Sequence, residues 1–169
     1  MPTTRFHRVI AIDPDLTASG VAILDVDERR FTFTGSKSFA DLVDMFNDEF
    51  SPLNDTQPAK VFIEAGWMET KSNFRHKWNG ARAERIAHDV GQNHATGKLL
   101  AEMARHIGLD VDLVHPLRKG WHGTDGKITH DELMAFTHAG MKHTNQDQRD
   151  AMLLAWVCAN LPIRIAVCR

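Results

Sequence analysis

The sequence predicts a single α/β domain with a mixed five-stranded sheet, three antiparallel strands followed by two parallel ones, flanked by helices. Three short β-rich runs open the chain, at 7–13, 20–26 and 30–35, and turn-length breaks separate them. Strands and helical segments then alternate, which is typical of parallel pairing. At 169 residues the chain has the length of one domain, so we expect residues 1–169 to share one core.

Turn formers and helix breakers delimit the individual elements. Pro14 has no N–H to give to a central ladder, so the first strand must end at Asp13. The segment "KVFIEAG" is a compact strand in which Glu64 comes just before the end at Gly66. Pro162 stops the last helix. The predicted order is βββαβαβαα, with helices at 39–50, 79–107, 127–139 and 146–160 and later strands at 60–66 and 109–114.

Composition and residue patterns exclude several classes of protein. The formal net charge is −2, so a polyanion must be bound by a local patch and not by the molecule as a whole. No apolar signal-peptide core opens the chain, and the longest apolar stretch, 151–157, is too short to span a bilayer. Cys158 and Cys168 lack zinc-ligand spacing, so we expect two free thiols in a reducing cytoplasm and no membrane contact. The 10 histidines show no HExxH or paired Cys/His spacing, and none is assigned to a metal.

Four acidic residues are placed where they could share one site. If the strands that carry Asp13 and Glu64 are adjacent and parallel, both carboxylates lie at the carboxyl edge of the sheet, where open α/β folds hold ligands. Asp150 shares a helical stripe with Leu154, which predicts that it lies on the inward face of the last helix. Asp147 lies one turn earlier on that face. Taken singly, each acid also has an ordinary interpretation as a turn former or as a partner of the helix dipole.

Taken together, the four acids indicate a cation. Two carboxylates about 4 Å apart repel by roughly 4 kcal/mol at an effective dielectric near 20. Three such pairs would approach the roughly 5–15 kcal/mol that stabilises a whole domain, so cations must offset the repulsion. Oxygen ligands without cysteine suit Mg²⁺ or Mn²⁺, and two such ions can stabilise the attacking and leaving oxygens of a phosphodiester. The sequence therefore predicts a site for two metal ions.

The segments "IDPDLTASGVAILD", "VFIEAGW" and "DQRDAMLLAW", in this order and spacing, resemble the signature of RuvC-type Holliday junction resolvases in the ribonuclease H-like superfamily. The resemblance covers nearly the whole chain and implies a ribonuclease H-like fold. It implies a structure-selective endonuclease that cuts four-way DNA junctions symmetrically and leaves 5′-phosphate and 3′-hydroxyl ends. The family usually reads Asp-Pro-Gly at the first segment, where this chain has Asp15 as the third residue. The catalytic metal ligands implied by the resemblance are Asp13, Glu64, Asp147 and Asp150.

The resemblance also implies partners for the chain. Its first partner is branched DNA, and its second is another copy of itself. The segment "GQNHATGKLLAEMARHIG" resembles the helix through which RuvC-type proteins form a two-fold dimer, which would present two equivalent sites to a two-fold symmetric junction. The expected location is the bacterial cytoplasm, and the short segment after the last helix resembles phage-borne or divergent members. A branch-migration helicase as partner is left open.

Basic and aromatic residues supply the local patch that the net charge requires. Between positions 60 and 85 the sequence has six Lys or Arg against three Glu, a local excess of +3. Aromatic residues interleave with them, a mixture typical of segments that neutralise phosphates and stack bases. Trp67 follows Glu64 by three residues, where RuvC-like proteins carry an aromatic that wedges into the junction; we expect Trp67 to act on DNA and to contribute little to stability. For Phe74 and Trp78, burial in the core is the favoured interpretation.

A second basic segment precedes the penultimate helix. The loop "HPLRKGWHGTDGK" resembles the family's Lys- and Gly-containing segment, and Lys127 is its better match. The predicted DNA-binding residues of both segments are Trp67, Lys71, Arg75, Lys77, Arg82, Arg118, Lys119 and Lys127.

Three other functions compete with junction resolution. One is a different ribonuclease H-like nuclease that cuts RNA/DNA hybrids or flaps. Another is a non-catalytic junction-binding relative, which the presence of all four acids disfavours. The segment "IDPDLTASG" also resembles the first phosphate loop of actin-like ATPases, but that fold needs a chain about twice as long.

Overall fold

The protein is described here by a computed structural model that covers residues 6–52, 59–69 and 80–164. Its strands are β1 (Arg8–Asp13), β2 (Ser19–Asp25), β3 (Arg30–Lys37), β4 (Ala59–Glu64) and β5 (Asp110–Val114). Its helices are α1 (Phe39–Asp48), α2 (Ala81–Ile107), α3 (His130–Thr137) and α4 (Gln146–Cys158). Short 3-10 turns follow β4 and precede α3. The predicted order βββαβαβαα is confirmed.

The five strands form one mixed sheet in the order β3-β2-β1-β4-β5. β1 pairs antiparallel with β2, and β2 pairs antiparallel with β3. β1 and β4 are parallel neighbours, and β4 and β5 are also parallel. The predicted fold class is therefore confirmed, including the adjacency of the two strands that end in acids.

Two hydrophobic layers cover the two faces of the sheet. β1 is the central strand, and its residues alternate: Ile10 and Ile12 face the layer formed by α1 and α2, while Val9 and Ala11 face the layer formed by α3 and α4. Burial on both faces explains why β1 reads as a continuous apolar run. The polar Asp13 comes where this cover ends.

Side-chain caps set the starts of three helices. Ser38 caps α1, Thr129 caps α3 and Asn145 caps α4, each in a reciprocal capping box with the third helical residue. The prediction that the penultimate helix begins at Lys127 was wrong, because the Thr129 hydroxyl accepts the N–H of Glu132 and fixes the first turn at His130. Lys127 therefore lies in the loop before α3 and not in the helix.

Two predictions from composition can be compared with the described residues. No helix among them is both long and apolar enough to cross a membrane. Cys158 is a free thiol, and burial raises its pKa to about 12. Cys168 lies outside the described residues.

Candidate metal and nucleic-acid site

Asp13 and Glu64 lie side by side at the carboxyl edge of the sheet. In the parallel ladder between β1 and β4, Ile12 pairs with Ile63, and the acids are the next residue of each strand. Glu64 also pairs with Val114 of β5, so the neighbouring strand supports its backbone. The prediction that two strand ends bring these carboxylates together depended on parallel pairing, and the pairing is confirmed.

Burial and neighbouring carboxylates raise the pKa of both strand-end acids. The pKa of Asp13 rises to about 8, chiefly because of burial and then because of the charges of Glu64, Asp150 and Asp147. Burial and the charge of Asp150 also raise the pKa of Glu64. Lys127 acts in the opposite direction on both groups. Burial is the largest cause of both shifts, and the charges of the other three acids add to it at Asp13.

A network of hydrogen bonds fixes the carboxylate of Asp150 on α4. Lys127 Nζ donates to Asp150 Oδ2 at 2.8 Å, and Gln146 Nε2 donates to Asp150 Oδ1 at 2.7 Å. Arg149 donates to Gln146 Oε1 at 2.7 Å and to the carbonyl oxygen of Ile128 at 3.0 Å, so it orients the Gln146 amide and ties α4 to the loop that carries Lys127. Each oxygen of Asp150 therefore has a donor in this structure.

Asp147 differs from Asp150 although the sequence places them on the same helical face. The first turn of α4 packs against β2 at Gly20, where a methyl group would lie 2.5 Å from the backbone oxygen of Asp147. Gly20 pairs with Asp13 in the last rung of the β1–β2 ladder, so the sheet ends at this level. Asp147 is exposed, whereas Asp150 is mostly buried, with 19% of its side chain accessible. The Cβ of Asp147 nevertheless lies 3.1 Å from where a methyl group on Gly20 would be, and its charge contributes to the raised pKa of Asp13, so its place in the site stays a prediction.

A cavity of about 170 Å³ opens at the acids. Asp13, Glu64 and Asp150 line it on one side, and the loop before α3 forms the other wall. The backbone of this loop folds on itself, because Gly123 N donates to the Lys127 oxygen at 2.9 Å and a methyl group at Gly123 would clash with that oxygen. The predicted basic residues of the loop also line the cavity: Arg118, Lys119 and Lys127.

Lys127 provides the cationic contact nearest to the acids. Burial opposes its charge, but the hydrogen bond and charge of Asp150, followed by the charge of Asp13, outweigh burial and raise the pKa of Lys127. The lysine therefore remains protonated at neutral pH. The charge of Lys119 partly offsets the rise in the pKa of Glu64. Arg118, which also lines the cavity, is exposed. The prediction of a basic wall is consistent with this placement, but DNA contact by these residues stays a prediction.

Trp67 is part of the packing around the site. It lies in the 3-10 turn after β4, half-buried against the hydrophobic layer formed by α1 and α2. Its ring meets α2 so closely that a methyl group at Gly97 would lie 2.6 Å from it, and His94 contacts its edge at 6.0 Å between ring centroids. The expectation that Trp67 contributes little to stability conflicts with this packing. Base stacking by the exposed part of the ring stays a prediction.

The donor chemistry suits divalent cations, although the described side chains are not drawn together around one. No group of three or more His, Cys, Asp or Glu among the described residues is close enough to hold a metal ion as it lies. Carboxylate oxygens are the ligands that Mg²⁺ and Mn²⁺ prefer, and the charges of three other carboxylates add to the effect of burial on the pKa of Asp13. In this arrangement the ammonium group of Lys127 provides positive charge beside Asp150.

Other predicted residues fall outside this cluster. Lys71, Arg75 and Lys77 lie outside the described residues, as do Phe74 and Trp78. Arg82 is exposed in the first turn of α2.

Sequence reasoning missed the residues that orient the acids. Gln146 lies four residues before Asp150, a spacing that predicts contact on a helix and could have been noticed. The backbone N–H of Leu117, which donates a hydrogen bond to Glu64, leaves no comparable signal because the two residues are distant in sequence. The same holds for Asn93, which donates to Asp15 in the turn after Asp13.

A larger cavity of about 830 Å³ lies at the opposite end of the sheet, between β3 and the ends of α3 and α4. Aromatic residues and arginines line it, among them Phe31, Trp156 and Arg164. Arg30, which lines this cavity, pairs with Asp25 of β2, and Asp25 pairs with Arg8 at the start of β1, whereas the acids lie at the end of β1. We place the candidate site at the smaller cavity because the acids and their shifted pKa values are found there.

Comparison with known proteins identifies the fold. No protein-family model matches the chain, and no curated protein matches it. The solved structure of T. thermophilus RuvC in complex with Holliday junction substrate is similar, with a TM-score of 0.52 and 16% sequence identity over 88% of this chain and 89% of that chain. A structure of Thermus thermophilus RuvC gives a TM-score of 0.49 at 16% identity, over 88% of this chain and 90% of that one. The first similarity shows that the chain has a RuvC-like, and therefore ribonuclease H-like, fold.

Proposed function

We propose that this protein is a metal-dependent, structure-selective DNA endonuclease that resolves four-way junctions. The observation that carries the proposal is the meeting of Asp13, Glu64 and Asp150 at one cavity, where carboxylate charges help to raise the pKa of Asp13. The RuvC structure with the similar fold is a complex with Holliday junction substrate, which supports a junction as the substrate.

The four acids would hold two Mg²⁺ or Mn²⁺ ions. When bound, such ions stabilise negative charge on the attacking and leaving oxygens of a phosphodiester. The acids have different tasks because they are held differently. The backbones of Asp13 and Glu64 belong to the sheet, Gln146 donates a hydrogen bond to Asp150, and the charge of the exposed Asp147 reaches Asp13.

The basic wall would hold the DNA backbone against the acids. Lys127 contacts Asp150 and faces the cavity, so its ammonium group can neutralise a phosphate placed there. Arg118 and Lys119 line the same cavity and would contact neighbouring phosphates. Because these contacts do not depend on base identity, they would position a DNA strand by its backbone and leave selectivity to the shape of the junction.

The proposal includes a homodimer that presents two sites to one junction. Two equivalent sites related by a two-fold axis would make paired incisions and leave 5′-phosphate and 3′-hydroxyl ends. Light scattering at micromolar concentration should therefore show a dimer. A monomer that still cuts both strands of a junction in concert would contradict this part of the proposal.

One experiment tests the activity directly. The pure protein is incubated with labelled four-way junction, linear duplex, flap and RNA/DNA hybrid substrates, with and without Mg²⁺ or Mn²⁺. Preferred cleavage of the junction, dependent on the cation, is the expected result. Preferred cleavage of hybrid or flap would instead identify another ribonuclease H-like nuclease, and binding without cleavage in either metal would identify a non-catalytic relative.

A further inference from the structure

The turn that follows Asp13 is tied to α2 by one asparagine. Asn93 Oδ1 accepts the backbone N–H of Leu16 at 3.0 Å, and Asn93 Nδ2 donates to Asp15 Oδ2 at 3.2 Å. These residues are separated by 77 and 78 positions in the sequence, so the contacts join two distant elements. A single amide side chain thus makes one donor and one acceptor contact with this turn.

Asp15 organises the turn from inside. Its Oδ1 accepts the N–H of Thr17 at 2.9 Å and that of Ala18 at 3.4 Å. Its backbone N–H donates to the hydroxyl of the buried Ser19 at 3.1 Å. One oxygen of the Asp15 carboxylate therefore accepts hydrogen bonds within its own turn, and the other accepts one from Asn93. A glycine at this position has no side chain to make either contact.

The same part of α2 meets the segment after Glu64. His94 lies so close to Gly66 that a methyl group there would be 2.9 Å from His94 Nε2. A methyl group at Gly97 would be 2.9 Å from the Pro14 ring and 2.6 Å from Trp67, so both segments press on this helix position. One stretch of α2, residues 93–97, therefore contacts the segments that follow both strand-end acids.

We infer that Asn93 is a positioning residue of the active site, which acts on Asp13 through Asp15. The β1–β4 ladder aligns the two strands up to Ile12 and Ile63, and Asn93 limits the movement of Asp13 from its other side, by fixing the turn after β1 to the helix that also contacts the segment after β4. The inference rests on the proposed function, since the position matters for a metal held by both carboxylates. Asn93 itself lies behind the turn, and its amide is engaged by Leu16 and Asp15.

A residue swap tests the inference. In Asn93→Asp two carboxylates face each other, and in Asp15→Asn two amide NH₂ groups face each other. Each single variant therefore loses the hydrogen bond between the two side chains. The double variant Asp15→Asn/Asn93→Asp restores one donor and one acceptor between the same positions. Glu102→Gln, on the exposed face of α2, is the matched control.

Three measurements are made on each full-length variant: Mn²⁺ binding to the DNA-free protein by calorimetry, amide hydrogen exchange of residues 15–18 in the turn, and junction cleavage. We expect each single variant to weaken Mn²⁺ binding about tenfold, within the range of coupling between side chains in contact, and to speed exchange in the turn. The double variant should return to within about threefold of the wild-type affinity, and the control should not differ from the wild type.

Three results would overturn the inference. Single variants that bind Mn²⁺ as tightly as the wild type would show that the contact between Asn93 and Asp15 does not position the metal ligands. A double variant as weak as the single ones would show that the loss comes from general damage to the fold. A wild-type protein that neither binds Mn²⁺ nor cuts any substrate would fail the proposed function, and the positioning role with it, whereas an active wild type with unaffected single variants overturns the positioning role alone.

Discussion

The strand ends and the start of α4 each contribute two acids to the candidate site, but the surroundings of the carboxylates differ between the two regions. Burial raises the pKa of both Asp13 and Glu64 at the strand ends. On α4, Asp150 receives hydrogen bonds from Lys127 and Gln146, and Asp147 is exposed to solvent. The acids with raised pKa values therefore lie at the ends of sheet strands, whereas hydrogen-bond donors or solvent meet the charges on α4.

The largest expected effect is the loss of cleavage when any of the four acids becomes an amide. We expect Asp13→Asn, Glu64→Gln, Asp147→Asn and Asp150→Asn each to slow junction cleavage by at least about a hundredfold, or about 2.7 kcal/mol of transition-state stabilisation. Junction binding in a gel-shift assay should persist, because the basic residues hold the backbone. Near wild-type cleavage by two of these variants would show that the site is assigned wrongly.

A second prediction concerns Trp67, which follows the strand-end acid Glu64. Trp67→Ala should slow cleavage per folded molecule about tenfold, because base stacking on an aromatic contributes roughly 1–3 kcal/mol. It should also lower the melting temperature, since the ring packs against Gly97 and the core. Trp67→Phe should retain much of both properties. If Trp67→Ala lowers only the melting temperature and leaves the rate per folded molecule unchanged, the ring has no role in DNA binding.

The third prediction uses pH to separate the two regions. The pKa of Asp13 is about 8 in the folded protein and 3.8 in the reference state, so between these values the folded state binds more protons than the unfolded state. Without divalent cations, stability should therefore fall as pH rises from about 4 to about 8. Asp13→Asn should remove most of this dependence and stabilise the protein at pH 8, whereas Asp147→Asn should have little effect.

Denaturant unfolding at pH 5 and pH 8, with and without Mg²⁺, checks this prediction. Added Mg²⁺ should stabilise the wild type most at the higher pH, because the cation replaces the proton. Equal stability of the wild type at both pH values without metal would contradict the account of the strand ends.

The smallest expected effect comes from an acid with the opposite shift. Burial opposes ionisation of Glu132, but hydrogen bonds from Thr129 and His122 outweigh it and lower the pKa to about 2 from the reference value of 4.5. Its contribution is therefore complete above pH 4.5 and lost as pH falls through 2. Glu132→Gln should cost about 1 kcal/mol at neutral pH, as loss of a cap does, and nothing near pH 2. A constant cost down to pH 2 would exclude the charge as its source.

Much of the fold could be predicted because local rules agree with the tertiary structure. Pro14 ends β1 at Asp13 because it has no backbone N–H to donate. The parallel strand β4 ends beside it, at Glu64. The inward position of Asp150 followed from its stripe with Leu154, which is fully buried. The start of α3 could not be placed, because Thr129 competes with Lys127 as a first residue and its cap decides the outcome.

The residues that hold the site in place were beyond reach of local patterns. Asn93 meets Leu16 only because α2 crosses the turn after β1, and nothing near either residue indicates the contact. The exposure of Asp147 depends on how far β2 extends beneath the first turn of α4. Helical periodicity shows which face of α4 a residue lies on, but not where the neighbouring strand ends.

The length of α2 has a further consequence for how the molecule comes apart. Its 27 residues span about 40 Å at 1.5 Å per residue, yet all of its buried residues lie from Thr96 onward. A helical half of this length without a buried face is marginally stable by itself in water. Residues 81–92 should therefore open locally at a lower free energy than the half of α2 from Thr96 onward, and their amide hydrogens should exchange faster than those of residues 96–107.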